Sequence, residues 1–265
     1  NTFNQYKTWV GLYLNWTGVP SVANAALATA DDFRFDPVLY ISDRTYSLTG
    51  KLQDNFTESS DTNLESHVPD RYPNAAVWTI DVAGEKLFVQ AANDRLTCSD
   101  AGALDDGYVI ELGEADGYVS AVQTPYHSGL DTFEIMPRFR YDAANGVGWI
   151  FGVEADTDLV VLYKENPAGT VTLIDSTAMT IASGTGYTVR AEFYGSAIRV
   201  YVNNVLKITE TDTFNQTQTK VGVYAMGNVV TTSGYLDTFE AGPIEPDIAY
   251  RSLIQQGGLS DIEMG

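Results

Sequence analysis

An all-β fold, with two antiparallel sheets packed as a sandwich or jelly roll, is predicted by three features of the 265-residue sequence. Strand-sized runs alternate apolar and polar residues with period two, turn residues punctuate them at short intervals, and no helical stretch intervenes between Asp54 and Gly242. Composition agrees. A hydrophobic content of 44% can fill a core, and 12% aromatic residues, led by 16 Tyr, suit pleated half-buried surfaces.

The chain opens differently. Phe3, Tyr6, Val10, Tyr13 and Leu14 share one face at helical spacing, and Thr2 with Gln5 can form the capping box that starts a helix over residues 1–14. Ser21 to Ala30 follows Pro20 and reads equally as helix or loop, and Pro37 to Ile41 reads as one strand. Residues 1–50 are therefore expected to form an N-terminal arm or small helix-containing attachment unit.

Period two sets in over residues 54–242, the expected sandwich. Tyr187, Val189, Ala191 and Phe193 oppose Thr188, Arg190, Glu192 and Tyr194. Phe133, Ile135, Phe139 and Tyr141 oppose Glu134, Arg138 and Arg140, and Ile198, Val200 and Val202 oppose Arg199 and Tyr201. Each such strand is predicted to turn its polar side to water. Asn203-Asn204 and Pro167-Ala168-Gly169 have the residue types of hairpin turns. Further strands are predicted at residues 86–90, 108–112, 118–122, 149–153, 159–164, 170–174, 205–208, 220–225 and 235–239. Pro243 and Pro246 cannot donate to a ladder, so residues 243–265 read as a C-terminal arm that docks on a neighbour.

Thirty-five acidic against fifteen basic residues give a net charge of −20, which repels a phosphate backbone and excludes direct nucleic-acid binding as an expectation. Cys98 is the only cysteine, so no intrachain disulfide and no cysteine-based zinc site can form. The longest apolar runs are strand-sized, short of the ~20 residues that span a bilayer as a helix, and a soluble chain without membrane insertion is expected.

No residue qualifies as catalytic, cofactor-binding or metal-ligating from the sequence. Glu111 and Glu114 have opposite parity, and Gly113 and Gly117 bracket a predicted hairpin turn that leaves both acids at a solvated tip. His67 and His127 have no neighbouring metal ligands in sequence, and no Gly-x-Ser-x-Gly elbow accompanies them. Asp156-Thr157-Asp158 and Asp105-Asp106-Gly107 read as acidic turns; a weak structural calcium is the one cofactor they leave open. Trp149, Tyr141, Tyr194 and Tyr201 could stack on sugar rings, with Tyr194 and Tyr201 on the outward parity. Asn15, Asn55 and Asn215 open sequons that arise easily by chance.

Asp54-Asn55-Phe56-Thr57, then Thr62 to Asp70 and Trp78, resemble the opening of concanavalin A-like lectin/glucanase domains of the kind found in tailed-phage structural proteins. Gly186-Tyr187, Ile198 to Asn204 and Asp237 to Pro243 are similar to later parts of that group in the same order. The Glu-x-Asp-x-x-Glu arrangement of the group's glucanases is not matched at Glu111 and Glu114, and the segment around His67 is a structural turn there. Residues 1–50 also resemble short phage virion proteins, in Asn1 to Asn4, Ile41-Ser42-Asp43 and Thr49-Gly50. The resemblance implies a non-enzymatic virion structural protein, exposed on a capsid or tail. Its terminal arms would hold other virion proteins and copies of itself, and its sandwich would face outward towards host-surface glycans. A secreted carbohydrate-binding module is the alternative, followed by a glycoside hydrolase.

Overall fold

The computed structural model describes residues 51–72, 77–81, 87–98, 102–128, 131–167, 169–229 and 234–244. The predicted N-terminal helix, the strand at residues 37–41, Asn15 and nearly all of the C-terminal arm lie outside these residues.

Among the described residues, seventeen strands form two antiparallel sheets. The first contains β1 (Leu52–Asp54), β2 (Thr62–Asn63), β4 (Leu87–Gln90), β5 (Arg95–Cys98), β7 (Gly117–Thr124), β13 (Tyr187–Tyr194), β14 (Ala197–Val202), β15 (Val205–Thr211) and β17 (Tyr235–Gly242). Its order is β15-β14-β13-β7-β17-β5-β4-β2, with β1 on the far end of β17. The second contains β3 (Thr79–Ile80), β6 (Gly102–Glu111), β8 (Tyr126–Ser128), β9 (Asp131–Asp142), β10 (Val147–Glu154), β11 (Leu159–Glu165), β12 (Val171–Ala178) and β16 (Lys220–Val229). Its order is β12-β11-β10-β9-β16-β6-β3, with β8 on β9.

All twelve strands predicted within residues 54–242 are present. The five that the sequence does not announce, β1, β2, β3, β5 and β8, are two to four residues long, too short to display a period. The predicted hairpin at Asn203-Asn204 joins β14 to β15 with φ of 50° and 63°, the left-handed pair that a tight hairpin turn needs and that asparagine tolerates.

Inward residues of both sheets meet in one core. Phe139 of β9 stacks on Phe193 of β13 with ring centroids 4.5 Å apart and on Trp149 of β10 at 6.1 Å, which ties the layers together through aromatic contacts worth about 0.5–1.5 kcal/mol each beyond their burial. Gln123 of β7 replaces a missing ladder bond. The β10 register with β9 ends at Ile150↔Arg138, and the Gln123 amide reaches across the core to satisfy both the N–H and the C=O of Val153 at 2.9 Å.

On the first sheet the predicted polarity holds: Tyr187, Val189, Ala191 and Phe193 are buried and Thr188 and Tyr194 are exposed. On the second it does not. Glu134, Arg138 and Arg140 are buried, so three residues predicted to face water are enclosed. Tyr141 also changes sides. A bulge at Phe139–Arg140, with Arg140 at φ 49°, places two residues of β9 opposite one of β16, and a one-residue slip turns Tyr141 onto the face of Arg138. Arg140 instead reaches across to donate to the Ala115 carbonyl and Asp116.

The predicted hairpin at Gly113–Gly117 is an arch. It carries the chain from β6 in the second sheet to β7 in the first, and the two strands do not pair with each other. Asp105 and Asp106 lie within β6 and form no loop end.

In β17, Thr238 has φ 50° at the register shift between Asp237 and Glu240. A β-branched residue in the left-handed region is strained by ~1–2 kcal/mol, whereas glycine is not. Thr238→Gly is therefore expected to raise stability by about 1 kcal/mol in denaturant unfolding; a loss would show that the strain is relieved by contacts of the Thr238 side chain.

Candidate functional site

The outward face of the second sheet carries the chemistry that the sequence does not predict. The antiparallel registers set Met226 opposite Glu134 across β16 and β9, and Glu154 opposite Leu159 across β10 and β11. Tyr224 pairs with Met136, Gly152 with Val161, and Arg138 with Ile150 and through it Tyr163. Met136, Ile150, Val161 and Tyr224 form a second hydrophobic cluster apart from the core, with Leu159, Tyr163, Val171 and Met226 packed against it. An apolar centre is thus flanked by two polar groups.

At one end, the Arg138 guanidinium lies between the carboxylates of Asp81 and Glu165 and over the Tyr141 ring at 4.0 Å. All four are buried. Gly107 of β6 makes room for them, because a Cβ there would collide with the guanidinium nitrogens and with Asp81 Oδ1. Arg138 Nε makes no hydrogen bond. Burial and the hydrogen bond to Asp81 hold the Tyr141 hydroxyl well above its ordinary range, as a neutral donor.

At the other end stand Glu134, Glu154 and Asp156. Tyr163 donates to Glu154 Oε1 at 2.5 Å and Thr157 to Oε2 at 2.8 Å, so Glu154 is held as an acceptor on both oxygens. Glu134 is 4% exposed, and its Oε1 has no partner. Burial, reinforced by the negative charges of Asp156 and Glu154, pushes its pKa up to about 8 against the pull of the Ala155 N–H, so the side chain is a neutral acid at pH 7.

That neutrality has a stability consequence. The folded state keeps a proton on Glu134 that the unfolded chain releases near pH 4.5, so this residue favours unfolding progressively as pH rises from 4.5 to about 8. Glu134→Gln, neutral at every pH, is expected to be more stable than the parent by on the order of 2–3 kcal/mol at pH 7 and equal to it below pH ~4. Equal melting temperatures at both pH values would overturn this.

The residues weighed in the sequence fall elsewhere. Glu111 and Glu114 are exposed at the β6–β7 arch, where Glu111 accepts the Gly113 N–H. Asp158 caps the Ile181 N–H at the β10–β11 turn. Trp149 is in the core. Tyr194 is 67% exposed, and Tyr201 is half-buried with its hydroxyl donated to Glu192. His67, 1% exposed, bridges Glu58 at 2.7 Å through Nδ1 and Asp54 at 2.8 Å through Nε2, the structural role expected of it. The Asn215 amide donates to the carbonyls of Arg140 and Val147, holding the bulge end of β9 to β10, so its sequon is occupied structurally. Among the described residues, no three His, Cys, Asp or Glu side chains are grouped to hold a metal ion.

The missed residues had one signal. Val147 to Glu154 is apolar at nearly every position, the pattern of a strand covered on both faces, and it implied that the outer side of its neighbour β9 would be enclosed as well.

No protein-family model and no curated protein matches the sequence. Solved structures with a similar strand layout include the carbohydrate-binding module CBM66 from Bacillus subtilis, at 17% identity and TM-score 0.42, covering 63% of this chain and 91% of that one. A Bacillus licheniformis β-glucanase has 11% identity and TM-score 0.48 over 74% and 99%. The galectin LEC-6 of Caenorhabditis elegans has 14% identity and TM-score 0.36 over 48% and 81%. These are likenesses of strand layout, and the ligand of each belongs to that protein. The two packed antiparallel sheets stand on this chain's own registers.

Proposed function

We propose that this chain is a carbohydrate-binding, lectin-like module that holds a glycan at the half-buried rim of its second sheet's outer face, around Leu159, Tyr163 and Met226, and performs no chemistry on it. One observation carries the reading. At that rim half-buried Leu159, Tyr163 and Met226 lie beside the exposed Asp156 turn, and Glu134, paired with Met226, keeps Oε1 without a hydrogen-bond partner. Buried polar atoms are costly without partners, and a sugar supplies both apolar C–H faces and a ring of hydroxyls.

The absence of a catalytic step is part of the proposal. Both oxygens of Glu154 are engaged by hydroxyl groups, Glu134 is enclosed, and Glu111 and Glu114 sit at the arch between the sheets. The expected virion attachment through residues 1–50 and 243–265 draws no support from the described residues, and the glycan reading stands ahead of it.

Calorimetry against a panel of neutral and amino-sugar oligosaccharides tests the proposal. Specific binding is expected, weakened at least ~10-fold by Asp156→Ala at the exposed rim, the size of losing a charge-assisted hydrogen bond, and unaffected by Tyr194→Ala on the first sheet. Loss of binding in Tyr194→Ala alone would move the site to the other sheet. Release of reducing ends from a bound oligosaccharide would overturn the non-catalytic reading.

A further inference from the structure

We propose that Asn145, in the β9–β10 turn, is a site of spontaneous deamidation that the Asp142 carboxylate holds in check. The inference is independent of the glycan reading, since this turn lies at the opposite end of β10 from Glu154.

The reaction needs only the chain and water. The Gly146 backbone nitrogen attacks Asn145 Cγ, the Cγ–Nδ2 bond breaks and ammonia leaves, which closes a cyclic succinimide. Water then opens one or the other ring carbonyl, giving aspartate or isoaspartate at position 145. The attacking nitrogen has to be unhindered, and Asn145 is the one asparagine in the sequence that a glycine follows; every other precedes a residue with a side chain. Asn145 is exposed, and a Cβ at Gly146 would meet nothing closer than the Tyr141 hydroxyl at 3.9 Å, so the approach is open.

The folded turn opposes each part of this step. Asn145 Nδ2, the leaving group, donates to Asp142 Oδ2 at 2.7 Å, and the Gly146 N–H, the nucleophile, donates to the Asp142 carbonyl at 2.9 Å. Asp142 Oδ1 accepts the Ala144 N–H at 3.0 Å, which fixes the carboxylate against the turn. The nitrogen must lose its proton to attack, and a fixed negative charge beside it disfavours that anion. The contact acts on Asp142 as well: the Asn145 amide holds its carboxyl below the ordinary carboxylate range, so the restraining charge is present at neutral pH.

Conversion would not be silent. It turns an amide donor into a second carboxylate facing Asp142, and isoaspartate adds one backbone atom to the turn. The next residue, Val147, pairs with Asp142 and accepts the Asn215 amide, so the closing pair of the β9–β10 hairpin would loosen.

The test holds the full chain in warm, mildly alkaline buffer and follows tryptic peptide 141–164 by mass spectrometry. Asn145 is the only asparagine in that peptide, which has no glutamine. The folded parent is expected to convert at least ~10-fold more slowly than the same chain in urea, the size of the hydrogen bonds that must break, and Asp142→Ser several-fold faster than the folded parent. Serine keeps an acceptor for the Ala144 N–H. Asp142→Asn, of the same shape without the charge, repeats the comparison with fragment ions locating the change, and circular dichroism verifies the fold of both. Equal rates in the folded parent and in urea, or in the parent and Asp142→Ser, overturn the restraint. Acceleration in Asp142→Ser that Asp142→Asn does not share overturns the part given to charge. Faster conversion at any other asparagine overturns the choice of site, and aspartate formed without isoaspartate overturns the succinimide route.

Discussion

Asp54→Ala is expected to destabilise the sandwich by about 3–5 kcal/mol, the cost of stranding one side of a buried polar cluster. The Asp54 carboxylate is fully buried and accepts three hydrogen bonds at 2.8 Å, from the Phe56 N–H, from Trp78 Nε1 and from His67 Nε2. Phe56 has φ 52°, so the first of these helps to hold a strained turn. The Trp78 indole is in edge contact with Phe239 of β17, 5.4 Å between centroids, and β1 itself pairs with β17. Alanine leaves three buried groups without their acceptor and loosens the link between residues 52–78 and the last strand. Urea unfolding that shows a loss below ~1 kcal/mol would mean that water replaces the carboxylate.

The same cluster makes stability depend on pH. Burial by itself would lower the His67 pKa, and the hydrogen bonds and charges of Asp54 and Glu58 outweigh it, leaving a net rise above 6.5. A base whose folded pKa is raised stabilises the fold fully below its unfolded pKa. That contribution is lost as pH climbs through the folded value, so the His67 contribution should decline from pH 6.5 upward. Comparing the parent with His67→Gln across this range isolates it from the Glu134 effect, which also lowers stability increasingly up to pH ~8. A gap between the two proteins that widens with rising pH would contradict the assignment.

Arg138→Ala is the second substitution with a large expected cost, again about 3–5 kcal/mol, because Asp81 and Glu165 would be left buried with no guanidinium between them. The physical test is the comparison with a triple replacement, Asp81→Leu, Arg138→Met and Glu165→Leu. Buried ionic triads exchanged whole for apolar residues are often neutral or stabilising, so the triple variant should recover most of the loss. Glycan affinity should not recover with it. Chemical unfolding and calorimetry on the same samples separate the two roles; recovery of both would show that Arg138 serves packing alone, and recovery of neither would show that shape rather than charge is what Gly107 and Tyr141 accommodate.

Strand identity was legible in sequence because it is local: eight residues such as Tyr187 to Tyr194 display their own alternation, and Asn203-Asn204 displays its own turn. Facing is only partly local. The first sheet's outer side is open, so parity correctly placed Thr188 and Tyr194 in water. The same parity argument put Glu134 and Arg138 in water, yet both are buried, Arg138 between Asp81 and Glu165, which are distant from it in the chain.

Residue type and short-range period were enough for the all-β class, for the twelve main strands and for the lack of an intrachain disulfide, which follows from a single cysteine. Tertiary structure decided which strands share a sheet and that the β6–β7 connection is an arch. It also decided that Tyr141 crosses to the other face and that Glu134 is buried within reach of the charges of Asp156 and Glu154. The physical reason is range. Pairing, a one-residue bulge and the burial that keeps Glu134 protonated all depend on contacts between segments tens of residues apart, and no local pattern carries them.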